Sequence, residues 1–163
     1  MIERRILDGL DAAGADYEVI AIDPELADTA AFCAHYGYPL ERSANTIVVA
    51  ARKEPGVACA CVVLADTRLD VNHKVCELLG VRKASFAGAD QTSDLTGMMI
   101  GGVTPFALPA GLPLYVDSRV MDADWVIVGG GSRSMKLRLA PRLFVDVAGA
   151  TVVPGLATRP AET

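Results

Sequence analysis

Between Asp94 and Asp117 the chain runs for twenty-two residues without a charge, "LTGMMIGGVTPFALPAGLPLYV". A segment of that length and apolarity meets the requirement of about 20 residues for a membrane-spanning helix. Its punctuation excludes one. Pro105, Pro109 and Pro113 fall among Gly97, Gly101, Gly102 and Gly111, and each interior proline removes a helix hydrogen bond at a cost of about 3 kcal/mol. The prolines also argue against a central strand, whose ladder needs every N–H. The segment is therefore a loop, and its Met, Ile, Phe and Leu side chains must be buried or line a pocket.

A chain of 163 residues with 52% hydrophobic content suits one globular domain built on an aliphatic core. The boundaries expected are a single domain over residues 1–153 and a frayed tail over 154–163. Charges stand among the first residues of "MIERRILDGLDAAG" and no apolar h-region follows, so no signal peptide and a cytoplasmic location are expected. The net charge of −5 predicts no broad basic surface, which disfavours DNA or general duplex binding and leaves room for a local contact to one end of a nucleic acid. Cys33, Cys59, Cys61 and Cys76 form no C-x-x-C and have no nearby His pair, so they read as buried thiols and no metal site is expected.

Local patterns supply the elements. Ile2, Ile6, Leu7, Leu10 and Ala13 recur at helical spacing before Gly14, and "DYEVIAI" alternates as a strand closed by Pro24. Asp28 or Thr29 is placed to cap a helix ending at Gly37. "NTIVVAA" and "VACACVVLA", joined by "RKEPG", predict a hairpin of core strands with Cys59 and Cys61 on one face. Asp70 caps a helix whose Val71, Val75, Leu78 and Leu79 share one face. "KASFA" reads as a strand, "ADQTSDLTG" as a short helix, and "LPLYVD" and "DWVIVGG" as two more strands. In "SMKLRLA", Met135, Leu137 and Leu139 alternate with Lys136 and Arg138, predicting one buried and one wet face. "PRLFVDVAG" is the closing helix. Strands outnumber helices and short turns join many of them, so the fold class is α+β with a mixed, mainly antiparallel sheet.

Few stretches carry chemistry. "GGGSRS" lacks the G-x-G-x-x-G and Walker patterns and precedes a strand, so a tight hairpin is its simplest meaning. His35 and His73 have no nucleophile partner at a motif spacing. "GGVTP" fits G-x-x-x-P from Gly101 to Pro105. Such a loop holds backbone N–H groups in Pro-restricted geometry, which suits donors for a carbonyl or an oxyanion.

The order "NTIVVAA", "LADTRLDVNHKVCELLGVRKASFA", "LTGMMIGGVTPFALPAGLPLYVD" and "WVIVGGGSRSMKLRLAP" resembles the YbaK/ProX family. These are aminoacyl-tRNA deacylases related to the editing domain inserted in bacterial prolyl-tRNA synthetase. The resemblance implies a sheet curled toward a barrel with helices around it, and hydrolysis of the ester between a mischarged amino acid and the 3′ end of tRNA. It implies no cofactor and no metal: water attacks the ester while backbone donors and the substrate's own 2′-hydroxyl or thiol assist. Asn45 and Gly101 become the candidate catalytic residues. Met99, Ile100, Gly102, Val103, Thr104, Pro105 and Phe106, with Gly129, Gly130 and Gly131, become the candidate substrate-binding residues, with Met98 as a further lining or supporting residue. The partners implied are the aminoacyl-tRNA 3′ end and an aminoacyl-tRNA synthetase.

The chain departs from this family twice. Asn45 stands where the family carries a functionally important lysine, and an amide donates a hydrogen bond but supplies no charge. Asn72 and His73 stand where lysines usually follow L-D-L. Weak tRNA binding with a shallow salt dependence is therefore expected. Three readings stay open: an editing hydrolase in which Asn45 positions the ester, a non-hydrolytic binding module of the same fold for an aminoacyl-like ligand, RNA end or protein, and a hydrolase of another small ester or thioester.

Overall fold

A computed structural model describes residues 2–160. The helices are α1 (Ile2–Ala12), α2 (Thr29–Tyr36), α3 (Cys76–Leu79, entered through a wide π turn at Val71–Val75), α4 (Ala89–Thr96) and α5 (Arg142–Asp146). The strands are β1 (Tyr17–Ala21), β2 (Ser43–Ala51), β3 (Ala58–Leu64), β4 (Arg68–Leu69), β5 (Ala84–Phe86), β6 (Leu114–Asp117), β7 (Val126–Gly129), β8 (Met135–Leu139), β9 (Thr151–Val153) and β10 (Ala157–Thr158). An eight-stranded sheet runs in the order β1-β8-β7-β2-β3-β6-β9, with β5 also on β2, while β4 and β10 pair separately. The β1–β8, β7–β8, β2–β3 and β2–β5 pairs are antiparallel, and β2–β7, β3–β6 and β6–β9 are parallel. The sheet is the mixed one expected, and it stays open without closing into a barrel.

Both faces of the sheet are covered. On one, Ile6 and Leu10 of α1 and Leu143 and Phe144 of α5 pack on Ala60, Val62, Val128, Leu137 and Leu139. On the other, Val75 and Cys76 pack on Cys59, Cys61 and Val63, and Phe32 and Cys33 of α2 pack with Ile127. This double cover explains why all seven residues of β3 are buried: successive side chains point to opposite faces, and neither face is wet. The predicted hairpin is present, with Ala50 opposite Ala58, and the Asp70 carboxylate accepts from the His73 N–H at 3.2 Å.

Three local expectations differ from the structure, and for Lys136 the reason is that alternation assigns faces without saying which face meets water. Lys136 was placed on a wet face and is only 6% exposed, because α2 lies over that side of β8. The helix beginning at Arg142 is five residues long and does not close the chain, since β9 and β10 follow. The segment after Pro154 was expected to fray, yet Leu156 and Ala157 are buried and β10 pairs with β4; the last three residues of that tail lie outside the described ones. Asp117 is fully buried beside the backbone of Leu156 and Ala157. Burial pushes its carboxyl up, opposed by those neighbouring N–H groups and by Arg119. Among the described residues no helix is long and apolar enough to cross a membrane.

Candidate active site

The uncharged loop leaves α4 at Gly97, whose φ of +74° ends the helix. It then divides its apolar residues between frame and cavity. Met98 is buried. Thr104 is buried, and its hydroxyl accepts from the Phe106 N–H at 3.5 Å, fixing the short 3-10 turn Pro105–Ala107. Phe106 stacks on Phe144 at 5.7 Å between ring centres and is partly buried against the core. Met99 projects outward at 62% exposure.

Ile100, Gly101 and Val103 line a cavity of about 190 Å³ with Asp28, Thr29, Ser43–Ile47, Ile127–Gly129 and Lys136. This is below the roughly 300–1,000 Å³ of drug-sized sites, so it suits a small acyl group with the rest of a larger molecule outside. Of the residues expected to bind substrate, Ile100, Val103 and Gly129 line it; Met99, Gly102, Thr104, Pro105, Phe106, Gly130 and Gly131 do not. Both candidate catalytic residues, Asn45 and Gly101, do.

The glycines away from the cavity have a different task. A Cβ on Gly102 would sit 2.5 Å from the Ser132 backbone, and one on Gly129 would sit 2.3 Å from the Val103 carbonyl oxygen. The loop therefore lies backbone against backbone on the β7–β8 turn, closed by a 2.7 Å bond from the Gly131 N–H to the Gly102 carbonyl. Gly131, at φ +98°, turns the chain under Ile6 of α1. Arg133, a residue the sequence reading did not single out, ties the rim together. Its guanidinium donates to the Pro24 carbonyl at 3.1 Å, to the Asp28 carboxylate at 3.1 Å and to the Ile100 carbonyl at 2.6 Å.

Several residues of the cavity wall carry hydrogen-bond donors. Thr29 donates its hydroxyl to the Asn45 carbonyl oxygen at 2.5 Å, which leaves the Asn45 NH2 without a protein partner among the described residues. The N–H groups of Gly101 and Val103 likewise have no internal partner among the described residues. Lys136 brings an ammonium to the same wall, 5.1 Å from the centre of the Phe32 ring. Burial pushes its pKa down, Cys33 and Asp28 oppose that, and Arg133 adds to it. Such a set of donors binds carbonyl or anionic oxygen.

At the other end of β2, cations from separate segments meet. The Arg52 N–H donates to the Lys83 carbonyl at 3.0 Å. Arg52, Arg68 and His73 line a hollow with Asp70 and the exposed Phe86, and Lys53, Arg82 and Lys83 line the next with Glu54. Asn45 and Ala51 are six positions apart on β2, about 20 Å.

The model of the aminoacyl-tRNA editing domain matches residues 23–147. Among solved structures, the hypothetical protein APE2540 superposes with a TM-score of 0.82 at 28% identity, covering 94% of this chain and 99% of that one. A candidate trans-editing enzyme for prolyl tRNA synthetase superposes with a TM-score of 0.78 at 23% identity, covering 96% of each, a likeness of fold.

Proposed function

The chain belongs to the family of aminoacyl-tRNA editing domains, and from that premise we propose that it is a trans-editing hydrolase cleaving the ester of mischarged tRNA in the cavity between β2 and the Ile100–Val103 loop. The observation that carries this reading is that Asn45, Gly101 and Val103, whose amide NH2 and backbone N–H groups have no internal partner among the described residues, line one small cavity. In this reading they bind the ester carbonyl oxygen. Water adds to the carbonyl carbon and the π pair moves to oxygen, where the donors hold the developing charge. Collapse returns the pair and expels the 3′-oxygen of the terminal ribose, which leaves with the proton that water gives up. The neighbouring 2′-hydroxyl is placed to pass that proton.

Asn45→Ala is expected to slow deacylation about 100-fold with little change in KM, the usual cost of deleting one oxyanion donor. Single-turnover rates on Ala-, Cys- and Ser-charged tRNA measure it, and an unchanged kcat would remove Asn45 from the chemistry. The binding-module reading makes a different forecast: wild type retains the charged tRNA without releasing its amino acid, while Asn45→Lys restores hydrolysis.

The cations around Phe86 support a wider contact to tRNA than net charge suggests. With the 3′ end at Asn45, about 20 Å of β2 corresponds to about six stacked nucleotides, which brings backbone phosphates to Arg52, Arg68 and Lys83. In place of a shallow salt dependence, log K against log[salt] is expected to fall with a slope of about −3, and Arg52→Glu with Lys83→Glu to flatten it by about 2. Equal slopes for the two proteins would leave this surface without an RNA role.

A further inference from the structure

Lys136 has no carboxylate at ion-pair distance among the described residues. It lies on β8 opposite Ile20 of β1 and Gly129 of β7, under the Phe32 ring of α2, and lines the cavity. The charged and titratable groups around it are Cys33 on α2, Asp28 before α2 and Arg133 in the β7–β8 turn. Asp28 gives one carboxylate oxygen to Arg133 and is itself two-thirds exposed, so it favours the ammonium from a distance without forming an ion pair with it. Contact with the Phe32 ring offsets part of the burial. A methionine would pack in the same volume without desolvating a charge, so a lysine here lowers stability.

We propose that Lys136 is a catalytic residue of this site: its ammonium, on β8 and separated by β7 from Asn45 of β2 on the same cavity, stabilises the oxyanion formed on the ester carbonyl. This rests on the editing reading above. Lys136 stays protonated throughout and transfers no proton; as water adds and the carbonyl pair moves to oxygen, the ammonium faces the new negative charge, and when the pair returns the 3′-oxygen departs.

Because burial pushes the pKa of Lys136 down, the charge is complete below that depressed value and is lost as pH rises through it. The wild-type rate relative to Lys136→Arg, whose charge does not titrate, is therefore expected to fall with rising pH. Stability carries the opposite sign. The unfolded chain holds the proton up to the ordinary lysine range, so the penalty of the buried ammonium is greatest at neutral pH and is relieved as pH rises toward that range.

The test compares wild type, Lys136→Met and Lys136→Arg in three readouts: deacylation of Ala-, Cys- and Ser-tRNA, thermal melting at pH 7, and binding of an adenosine carrying a 3′-aminoalkylphosphonate in place of the ester. Lys136→Met is expected to lose about 10²–10³ in kcat with KM little changed, to melt higher than wild type at pH 7, and to bind the phosphonate at least about tenfold more weakly. Lys136→Arg should keep part of the activity. A Lys136→Met protein with wild-type kcat, or one that melts lower, overturns the proposal in favour of a packing role. If wild type hydrolyses none of the esters, the editing reading fails. Tighter phosphonate binding by wild type than by Lys136→Met would then still establish the anion site, and equal binding would overturn it.

Discussion

Gly129→Ala is expected to destabilise the protein by about 2–3 kcal/mol, near the upper range for forcing one extra methyl into a packed site, and to lower Tm by about 5–10 °C for a chain of this size. The reason is the 2.3 Å approach of an added Cβ to the Val103 carbonyl oxygen. Backbone cannot rotate aside as a side chain can, so the loop and the β7–β8 turn must part. That separation moves Gly101 and Val103 relative to Asn45, so deacylation should fall with stability. Gly9→Ala is the matched control: it lies within α1 and an added Cβ meets nothing within 4 Å, so it should raise stability by about 0.5–1 kcal/mol. Melting curves of the two variants decide the matter, and a Gly129→Ala protein as stable as wild type would show the two loops to be less tightly apposed than described.

The second large effect concerns the ring stack beneath the loop. Phe144 is fully buried, and Phe144→Ala is expected to cost about 3–5 kcal/mol. Phe106 is half-buried on top of it, so Phe106→Ala should cost less and leave KM for charged tRNA nearly unchanged, because Phe106 faces the core. Denaturant titration measures the first and deacylation kinetics the second. A large rise in KM for Phe106→Ala with normal stability would return this ring to the substrate pocket.

These two variants separate what the sequence makes legible from what it hides. Local chemistry reads well: the Pro and Gly of "GGVTPFALPAG" exclude a helix, Gly97 ends α4, Asp70 holds the His73 N–H, and the "RKEPG" turn joins β2 to β3. Asn45 and Gly101 are found together in the cavity because the order of motifs already brings their segments into one fold. The covering of surfaces reads poorly. Period-two alternation puts Lys136 opposite Leu137 but does not reveal that α2 covers its side. In the same way, an apolar side chain in a loop such as Phe106 carries no sign of which apolar neighbour it meets, here Phe144. Arg133 draws three carbonyl and carboxylate groups from segments more than thirty residues away, and the cations around Phe86 come from β2, β4 and the approach to β5. Net charge averages over such clusters. A short strand such as β9, with two of its three residues exposed, carries too little pattern to announce itself.

The cavity's chemistry also conflicts with its stability. The Lys136 ammonium is desolvated by burial, which disfavours folding, and Asn45, Gly101 and Val103 line the same cavity with donors that have no internal partner among the described residues. Donors gathered around a small space are the arrangement expected of a site that binds oxygen as it gains charge.

The most direct measurement is the rate at which the wild-type protein releases amino acid from Ala-, Cys- and Ser-tRNA under single-turnover conditions, beside Gly101→Ala, whose Cβ meets the Arg133 guanidinium at a φ of +93°. Release well above the spontaneous rate is expected for at least one of these esters, with its loss in Gly101→Ala. Release no faster than in buffer for all three, from a protein that is folded and binds tRNA, would contradict it.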